Sequence, residues 1–503
     1  MVSNFAPQAA TADAAQLDTM RFQADLWADK TIAAILGYWD EPTLADNNAT
    51  ASAEIEDHWR PQWQKLAAVN RVFADWTSNT SLQDWKAVGT EIPADVGAAI
   101  ETYVTAAGQM PVWVDREKIA RAETLFVEHG ALSVTLLFCA SLPQCYVVPD
   151  LSAVLQVTGK LEEHTEYRVR STGAMIFPVM MNGGLTDGVG AGLAQIFKVR
   201  LIHATIRHLI LRQSPQLLMA KIDTAKSLGG TESTVEVAMV VPLDLSLPND
   251  TMYHALFVHG WDTEARGLPC NQVELAYTLL TFSYVFLKGL RLLGVGIPKD
   301  DEEAYLHAWN LVGHFLGIQH ALMANTMEEA THMFDAMQAR GRIGQTVNPV
   351  LPDPRPELGE ALMNAMSTVI PFSIAKPFPV LMTRYLCGPS SSKDLGLNGA
   401  VSWASKSLFY SIMLIARWID HMVRKFLSQF SMCRFIMWLL GYQLITRLMM
   451  DQTRPLRVPE HLSSGMDTML NRWGRDQSAP AWLNKVEALQ TTKYGWGSEN
   501  KTK

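Results

Sequence analysis

The length, composition and charge of the chain exclude several classes of protein. Its 503 residues, of which 48% are hydrophobic and 18% charged, supply enough apolar surface for a large core, so the composition excludes an intrinsically disordered chain. The net charge of −8, without a polybasic run, argues against nucleic acid as a partner. The five cysteines are too sparse and odd in number for a disulfide framework.

Apolar residues at helical spacing dominate the first half of the chain. They predict helices over residues 19–36, 53–74, 95–107 and 116–137, and a further helical stretch over 152–179. Residues 1–18 are polar and lack the charged-then-apolar pattern of a secretory signal. We therefore expect a soluble protein, intracellular as the sequence stands or secreted if a leader has been removed.

Two glycine-rich turns, at 182–184 and 188–192, precede the next predicted helix, over 198–213. No Lys-Ser or Lys-Thr follows them at the spacing of a phosphate-binding loop. We interpret the turns as a connection that lets the backbone approach another helix or a flat cofactor.

His203 is the candidate metal ligand on the predicted helix over 198–213. It lies within an apolar stripe of Val199, Ile202, Ile206 and Ile210. An imidazole there loses water unless a metal or a hydrogen-bond partner takes up its ring nitrogens. Spacing alone therefore leaves two alternatives, a metal ligand and a hydrogen-bonded core histidine.

Cationic and hydroxyl side chains accompany this histidine. Arg200 and Arg207 lie one heptad apart on the same predicted helix, where they suit the carboxylates of a cofactor. Arg168 and Thr172, four residues apart, share a face of an earlier helix. The alternative for the arginines is an ordinary solvated helix face.

The second half of the chain is also mostly helical. Residues 235–241 predict either a short strand or the entry to a loop, and long helices are predicted over 273–293 and 301–327. The Gly-x-x-x-Gly pair of Gly313 and Gly317 predicts a close contact with a neighbouring helix or a porphyrin face.

Prolines at 349, 352, 354 and 356 mark the best candidate for a domain boundary. We expect an N-terminal helical layer over residues 1–110, a core over 111–345 and a C-terminal helical cap over 346–503.

The range 405–450 is rich in Phe, Ile, Leu, Met and Trp. Its longest uncharged part, 435–446, is shorter than the roughly 18 to 20 residues that cross a bilayer. The range therefore predicts either peripheral membrane contact, a lid over an apolar substrate channel, or an ordinary buried helix pair.

Several motifs give the chain a resemblance to a known family. They are Arg168 with Thr172, the run Val-Arg-Leu-Ile-His-Ala-Thr-Ile-Arg at 199–207, Leu-Thr-Phe-Ser at 280–283, Glu-Ala-Tyr-Leu-His-Ala-Trp at 303–309, and Val-Gly-His-Phe-Leu-Gly at 312–317. Over roughly residues 110 to 345 the chain resembles the latex-clearing protein (rubber oxygenase) family. The same patterns occur in the related fungal endoplasmic-reticulum oxygenases of mycophenolic acid biosynthesis.

The resemblance implies a globin-like helical core that binds haem b through one proximal histidine. It also implies cleavage of a C=C bond of a polyisoprenoid or other apolar alkene by O2 to give carbonyl products. Carried over residue by residue, His203 matches the proximal iron ligand, and Arg168 and Thr172 match the pair beside the haem. No Cys-x-x-Cys-His motif is present, which excludes covalent c-type haem.

One departure from the family concerns the residue before Thr172. Where the family's well-known members have a lysine able to cap the iron, this chain has Ser171, whose hydroxyl is a poor iron ligand. The family's distal acidic residue is not securely placed. Glu163 is the candidate for it, with Glu162 and Glu166 close by, and Gln144 is an alternative occupant of the equivalent position.

Two other functions remain open from the sequence. A non-haem di-iron oxygenase needs two Glu-x-x-His pairs, of which Glu329 and His332 supply one. Glu303 with His307, or His307 with His314, could also serve a single metal. A non-enzymatic carrier of haem or an isoprenoid would keep the pocket and lack the distal base. The sequence leaves the oligomeric state unknown.

Overall fold

The chain folds mainly into helices over the residues that its structure, a computed structural model, describes. The described residues are 13–39, 52–157, 165–212 and 256–423, apart from 257, 258, 348, 351, 369 and 371. These ranges contain no β-strand, so the predicted all-α class is confirmed. The stretch 235–241, predicted as a short strand or the entry to a loop, lies outside the described residues.

The N-terminal part contributes helices up to the one that carries His203. These are α1 (Ala14–Met20), α2 (Leu26–Leu36), α3 (Ser52–Ala74), α4 (Ala94–Ala107), α5 (Arg116–Leu136), α6 (Leu142–Cys145), α7 (Pro149–Val157), α8 (Thr165–Met180) and α9 (Gly192–Leu211). A π-helical turn, Leu137–Ser141, joins α5 to α6, and a 3-10 turn, Asn79–Leu82, precedes α4.

The C-terminal part continues in the same way. Its helices are α10 (Thr263–Arg266), α11 (Gln272–Phe282), α12 (Tyr284–Leu292), α13 (Lys299–Phe315), α14 (Met327–Val347), α15 (Arg355–Thr368), α16 (Phe378–Asp394) and α17 (Trp403–Val423). Short 3-10 turns lie at His320–Leu322 and Ser373–Ala375.

One continuous apolar core runs through these helices. The helix α5 packs along α13, while α9 lies between α2 and α8. Large aromatic side chains fill the centre, among them Trp309, which stacks on Phe282 with ring centroids 5.8 Å apart, and Tyr305, which stacks on Phe286 at 4.7 Å. Burial of such rings is the main source of stability for a helix assembly of this size.

Four predicted helices are in fact broken or kinked. The range 116–137 is kinked at Gly130, whose φ is +45°, and 273–293 divides at Ser283 into α11 and α12. Residues 19–36 form the end of α1 and all of α2, because the Asp25 carboxylate accepts hydrogen bonds from the backbone N–H groups of Trp27 and Ala28 and so starts a new helix. Residues 301–327 form the greater part of α13, a 3-10 turn and the start of α14, because Gly317 adopts a φ of +79°. The N–H groups of Gly317 and Ile318 then bond the carbonyls of His314 and Gly313, which closes α13 in a Schellman motif.

The glycine-rich stretch between α8 and α9 is a structural connection. The amide of Asn79 donates to the carbonyls of Gly184 and Asp187 at 2.9 and 2.7 Å and accepts from the N–H of Leu193. The carboxylate of Glu123 accepts from the N–H of Gly183 at 2.9 Å. The backbone of this stretch therefore closely approaches another part of the protein. This agrees with the first of the two predicted alternatives, another helix or a flat cofactor.

In the part of the chain that the structure describes, one helical stretch, Gln272–Leu292, is long and apolar enough by itself to cross a membrane, and the bent pair Arg116–Gly130 and Leu132–Cys145 passes the same test if counted together. Within Gln272–Leu292, the most apolar window is 89% buried inside the protein. That stretch is therefore built as a core element of the helix assembly.

Candidate functional site

The helix α9 carries His203 in the interior of the helix assembly. His203 is partly buried, and its Nδ1 atom is enclosed by protein and makes no hydrogen bond within the described residues. Burial, with a smaller effect of the nearby Arg207 cation, lowers the pKa of the imidazole to about 4, although Asp25 opposes the shift. At neutral pH the ring is therefore uncharged and keeps the lone pair that a metal needs.

The apolar stripe predicted around His203 is only partly correct. Ile206 and Ile210 are buried, but Ile202 is 49% exposed and Val199 is half-buried. The side of α9 that faces α2 is charged instead, because Arg200 and Arg207 both point to that helix.

Arg200 forms a fully bonded ion pair with Asp25 of α2. Its Nε and Nη2 atoms donate to the two carboxylate oxygens, the Nη2 bond at 2.8 Å, and its Nη1 donates to the carbonyl of Phe315 at 3.0 Å. The guanidinium also lies over the ring of Tyr103, 5.5 Å from the centroid. Both charges are buried, so the pair depends on this close geometry.

Arg207 is buried in a different way. Its side chain is fully enclosed, its nearest carboxylate is Asp29 with Nε and Oδ1 3.4 Å apart, and within the described residues none of its three nitrogens makes a hydrogen bond. Burial raises the pKa of Asp29 to about 7, against the pull of Arg207. A buried guanidinium whose N–H groups have no hydrogen-bond acceptor is suited to bind an anionic group.

His208 lies beside this pair and completes the buried polar cluster. Its Nε2 is 3.7 Å from Oδ1 of Asp29, and its ring packs edge-on against Trp39 with centroids 4.6 Å apart. Burial lowers the pKa of His208 to about 3, with Arg212 and Arg207 lowering it further. The imidazole is therefore neutral and shares the enclosed cluster with Arg207 and Asp29.

The predicted residues of the other motif lie on α8, which packs directly against α9. Ser171 and Thr172 are partly buried on this helix, and each takes part in further interactions. Arg168 belongs to the first turn of α8, but its side chain, like Glu163, lies outside what the structure describes. The two predicted motifs are thus brought together as neighbouring helices.

Gln144, the alternative for the distal acidic residue, is part of a buried hydrogen-bond network. Its Oε1 accepts from Nε2 of Gln338 at 3.0 Å and from Oγ of Ser391 at 3.3 Å, and its backbone carbonyl accepts from the hydroxyl of Tyr277. Its side-chain oxygen is therefore engaged with α14 and α16.

The candidate ligands of a non-haem metal have other partners. Glu329 accepts from the N–H groups of Asn325 and Thr326 at the start of α14, which is a capping role. Glu303 pairs with Lys299, and Nε2 of His307 accepts from the N–H of Asp115. Among the described residues no three His, Cys, Asp or Glu side chains come together as a metal site.

Sequence reasoning missed the acidic partners on α2. Asp25 and Asp29 are 175 and 178 positions away from Arg200 and Arg207, so no local pattern connects them. Their separation by four residues, which places both carboxylates on one face of a helix, was the one available signal.

Comparison with known proteins gives three consistent results. Residues 251–419 match the model of a family described as ER-bound oxygenase mpaB/B′/Rubber oxygenase, catalytic domain. A rubber oxygenase of Streptomyces sp. (strain K30) is 22% identical over 340 residues, which cover 66% of this chain and 67% of the relative. A solved structure of latex clearing protein in the closed state matches with a TM-score of 0.54 and 18% identity, and the match covers 89% of this chain and 96% of the other.

The family model covers only part of the range that the motifs indicated: it includes the motifs at 280–283, 303–309 and 312–317 but not the earlier ones. It begins after Arg168, Thr172 and His203 and extends past residue 345, the expected C-terminal limit. The roles of those three residues therefore still depend on their motifs and on their geometry. The family model and the curated relative are both of the mpaB/B′ and rubber oxygenase kind, and the solved structure shares the fold, so this chain is similar to that oxygenase family.

Proposed function

We propose that this protein is a haem-b-dependent oxygenase that uses O2 to cleave a C=C bond of a polyisoprenoid or other apolar alkene to carbonyl products. The observation that carries the proposal is His203, a neutral and partly buried imidazole whose Nδ1 lacks a hydrogen bond, at the position where the motif places the iron ligand. Similarity to an oxygenase family supports the reaction class.

The described residues fit a haem at His203. A metal at the imidazole needs the uncharged ring that burial provides, and Arg207 offers a buried cation with free donors for a propionate. Arg200 is less suited to a propionate because Asp25 and the carbonyl of Phe315 already occupy its guanidinium. We assign Arg200 instead to holding α9 against α2.

When bound, haem supplies the iron that activates O2. The protein supplies the rest of the site. The ion pair of Arg200 and Asp25 fixes the position of α9, so the imidazole of His203 is held in one orientation. Thr172 and Ser171 offer hydroxyl donors from α8, Arg168 a cation, and Glu163 the carboxylate that would take an allylic proton from the substrate.

The surroundings of α9 favour an apolar substrate. The core that encloses this helix is built from Phe, Leu and Ile side chains, which exclude water. In such a low-dielectric interior, a positive or hydroxyl group near the reacting oxygen is worth more than it is in water.

Hemin binding tests the proposal directly. The purified protein, supplied with hemin, is expected to show a Soret band, and His203→Ala is expected to lose it. The matched control is His332→Ala, which removes an exposed histidine from α14 and is expected to keep the band. His332 is also a ligand candidate of the di-iron alternative, so this variant separates the two cofactors.

Four outcomes would contradict the proposal. A His203→Ala variant that keeps its Soret band would place the iron ligand elsewhere. A protein that takes up no hemin, or one that contains two irons and no porphyrin, would exclude haem. A haem protein that consumes no O2 and releases no carbonyl products from polyisoprene would be a carrier.

A further inference from the structure

The last described helix, α17, presents several large apolar side chains to the solvent, with Ser407 and Ser411 between them. Its other face packs against α16, where Phe409 meets Phe378 with ring centroids 5.4 Å apart and Met413 is buried. On the outward face Trp403 is 83% exposed, Leu414 70% and Trp418 62%. Apolar side chains on both faces of a helix are normally covered by other groups. The exposed side of α17 therefore indicates a surface that binds a partner.

Neighbouring residues enlarge the apolar face. Ile415 and Tyr410 are exposed on α17, and the 3-10 turn Ser373–Ala375, which contacts α17, adds Phe372 and Ile374. Scattered exposed apolar residues are ordinary, but several on one helix and the adjoining turn are not. We call this set, Phe372, Ile374, Trp403, Tyr410, Leu414, Ile415 and Trp418, the α17 face.

The part of the chain that forms the α17 face has an excess of positive charge. Over residues 372–423 the chain has five cationic side chains, Lys376, Arg384, Lys393, Lys406 and Arg417, and two acidic ones, Asp394 and Asp420. Asp394 is neutralised by ion pairs with Arg342 and Arg355. This local excess contrasts with the net charge of −8 of the whole chain, so it complements an anionic surface.

The chemistry of the face matches a bilayer interface. Trp403 and Trp418 lie about 22 Å apart along the helix, at 1.5 Å per residue, and Ser407 and Ser411 separate the apolar side chains between them. Tryptophan, tyrosine and basic residues concentrate at the level of lipid headgroups. Because Phe409 and Met413 hold the opposite face to the protein, the helix would lie flat in the interface and not cross it.

We propose that the α17 face docks the protein on an anionic lipid bilayer, with Trp403, Leu414, Ile415 and Trp418 among the acyl chains and Lys406 and Arg417 among the headgroups. This proposal does not rest on haem binding. It narrows the predicted membrane contact of residues 405–450 to one helix and the turn beside it.

Flotation with vesicles tests the proposal on the full chain. The probe is vesicles of phosphatidylcholine and phosphatidylserine at 7:3, with pure phosphatidylcholine as comparison. The variant Leu414→Ser/Ile415→Ser is expected to bind the mixed vesicles at least tenfold more weakly than the unaltered protein, and binding to pure phosphatidylcholine is expected to be at least as weak. The matched control Val88→Ser/Val189→Ser changes two valines that are each 90% exposed elsewhere, and is expected to bind normally.

A labelling experiment separates the bilayer from other occupants. Ile415→Cys is expected to react with a polar maleimide as fast as Val189→Cys when vesicles are absent, and to be protected when they are added. Protection without vesicles would mean that residues 424–503 or a second copy of the chain covers the face. That result would overturn the proposal, as would equal binding of the Leu414→Ser/Ile415→Ser variant or equal binding to pure phosphatidylcholine.

Discussion

The two arginines of α9 illustrate how the same residue type serves two purposes within one helix. Each of the three guanidinium nitrogens of Arg200 donates a hydrogen bond. Arg207, two turns further along α9, is enclosed without a hydrogen bond in the described residues. His203 lies between them. The first arginine therefore fixes the helix, and the second keeps the donors that the proposed function assigns to a cofactor propionate.

The pair of Arg200 and Asp25 predicts a strong coupling in stability. Asp25→Asn or Arg200→Met alone leaves one buried charge without its partner, which costs about 3–5 kcal/mol in the free energy of unfolding. The double variant removes both charges and is expected to lose less than the sum of the single losses. Urea unfolding of the four proteins measures this, and additive losses would contradict the coupling.

Arg207 predicts a selective effect on cofactor binding. Loss of a charge-assisted hydrogen bond costs roughly 1.5–3 kcal/mol, so Arg207→Met is expected to weaken hemin binding about 10- to 100-fold. Hemin dimethyl ester carries no propionate charge, and its affinity is expected to change little. Equal losses for both ligands would show that Arg207 supports the fold and makes no contact with a propionate.

At the scale of the secondary-structure element, the end of α13 depends on Gly317. A Cβ atom there would lie 2.7 Å from Oδ2 of Asp25 and 2.8 Å from Nη2 of Arg200, so the close contact predicted for this glycine is made with the ion pair. Gly313 instead meets Leu279 and Met323. This glycine pair thus packs side chains and helices in the core.

The effect of Gly317→Ala can be separated into two parts. Gly294 has a φ of +80° with nothing within 4 Å of its Cβ position, so Gly294→Ala measures backbone strain alone, about 1 kcal/mol. Gly317→Ala adds the clash with Asp25 and Arg200 and is expected to lose at least twice as much. Gly399→Ala, with open space and no positive φ, is the neutral control. Equal losses at 317 and 294 would contradict the clash.

The local spacing of apolar residues predicted where most helices lie. It did not predict where the helices end or which side chains pair between them. The predicted range 53–74 differs from α3 by a single residue, because periodicity and local punctuation decide it. The breaks at Asp25 and Gly317 depend on a capping carboxylate and a left-handed glycine, which the apolar pattern does not contain. The partners of Arg200 and Arg207 come from another part of the chain, so only the fold brings them together.

At the scale of the whole molecule, buried carboxyl groups make stability depend on pH. Burial raises the pKa of Glu274 to about 8, and Asp150 raises it further, from the ordinary value of 4.5 expected in the unfolded chain. Between these values the folded protein holds a proton that the unfolded chain releases. Stability from this group is therefore present below pH 4.5 and is lost as the pH rises toward 8, by at most about 1.4 kcal/mol per pH unit.

Glu274→Gln tests this dependence. The neutral amide cannot release a proton, so the melting temperature of the variant is expected to fall less between pH 6 and 8 than that of the unaltered protein. Glu328→Gln, which changes an exposed glutamate at the start of α14, is expected to follow the unaltered protein. Parallel curves for Glu274→Gln and the unaltered protein would mean that Glu274 is ionised in the folded state.

The position of Asp25 and Asp29 has a practical consequence for shortened forms of the protein. Any version that begins after residue 29 would remove both acidic partners of α9 and leave Arg200 and Arg207 as uncompensated cations inside an apolar interior. For the same reason, limited proteolysis within α2 is expected to loosen α9 and with it the orientation of His203. The cut would lie more than 160 residues away from His203 along the chain. The N-terminal helices are thus indispensable to the candidate site.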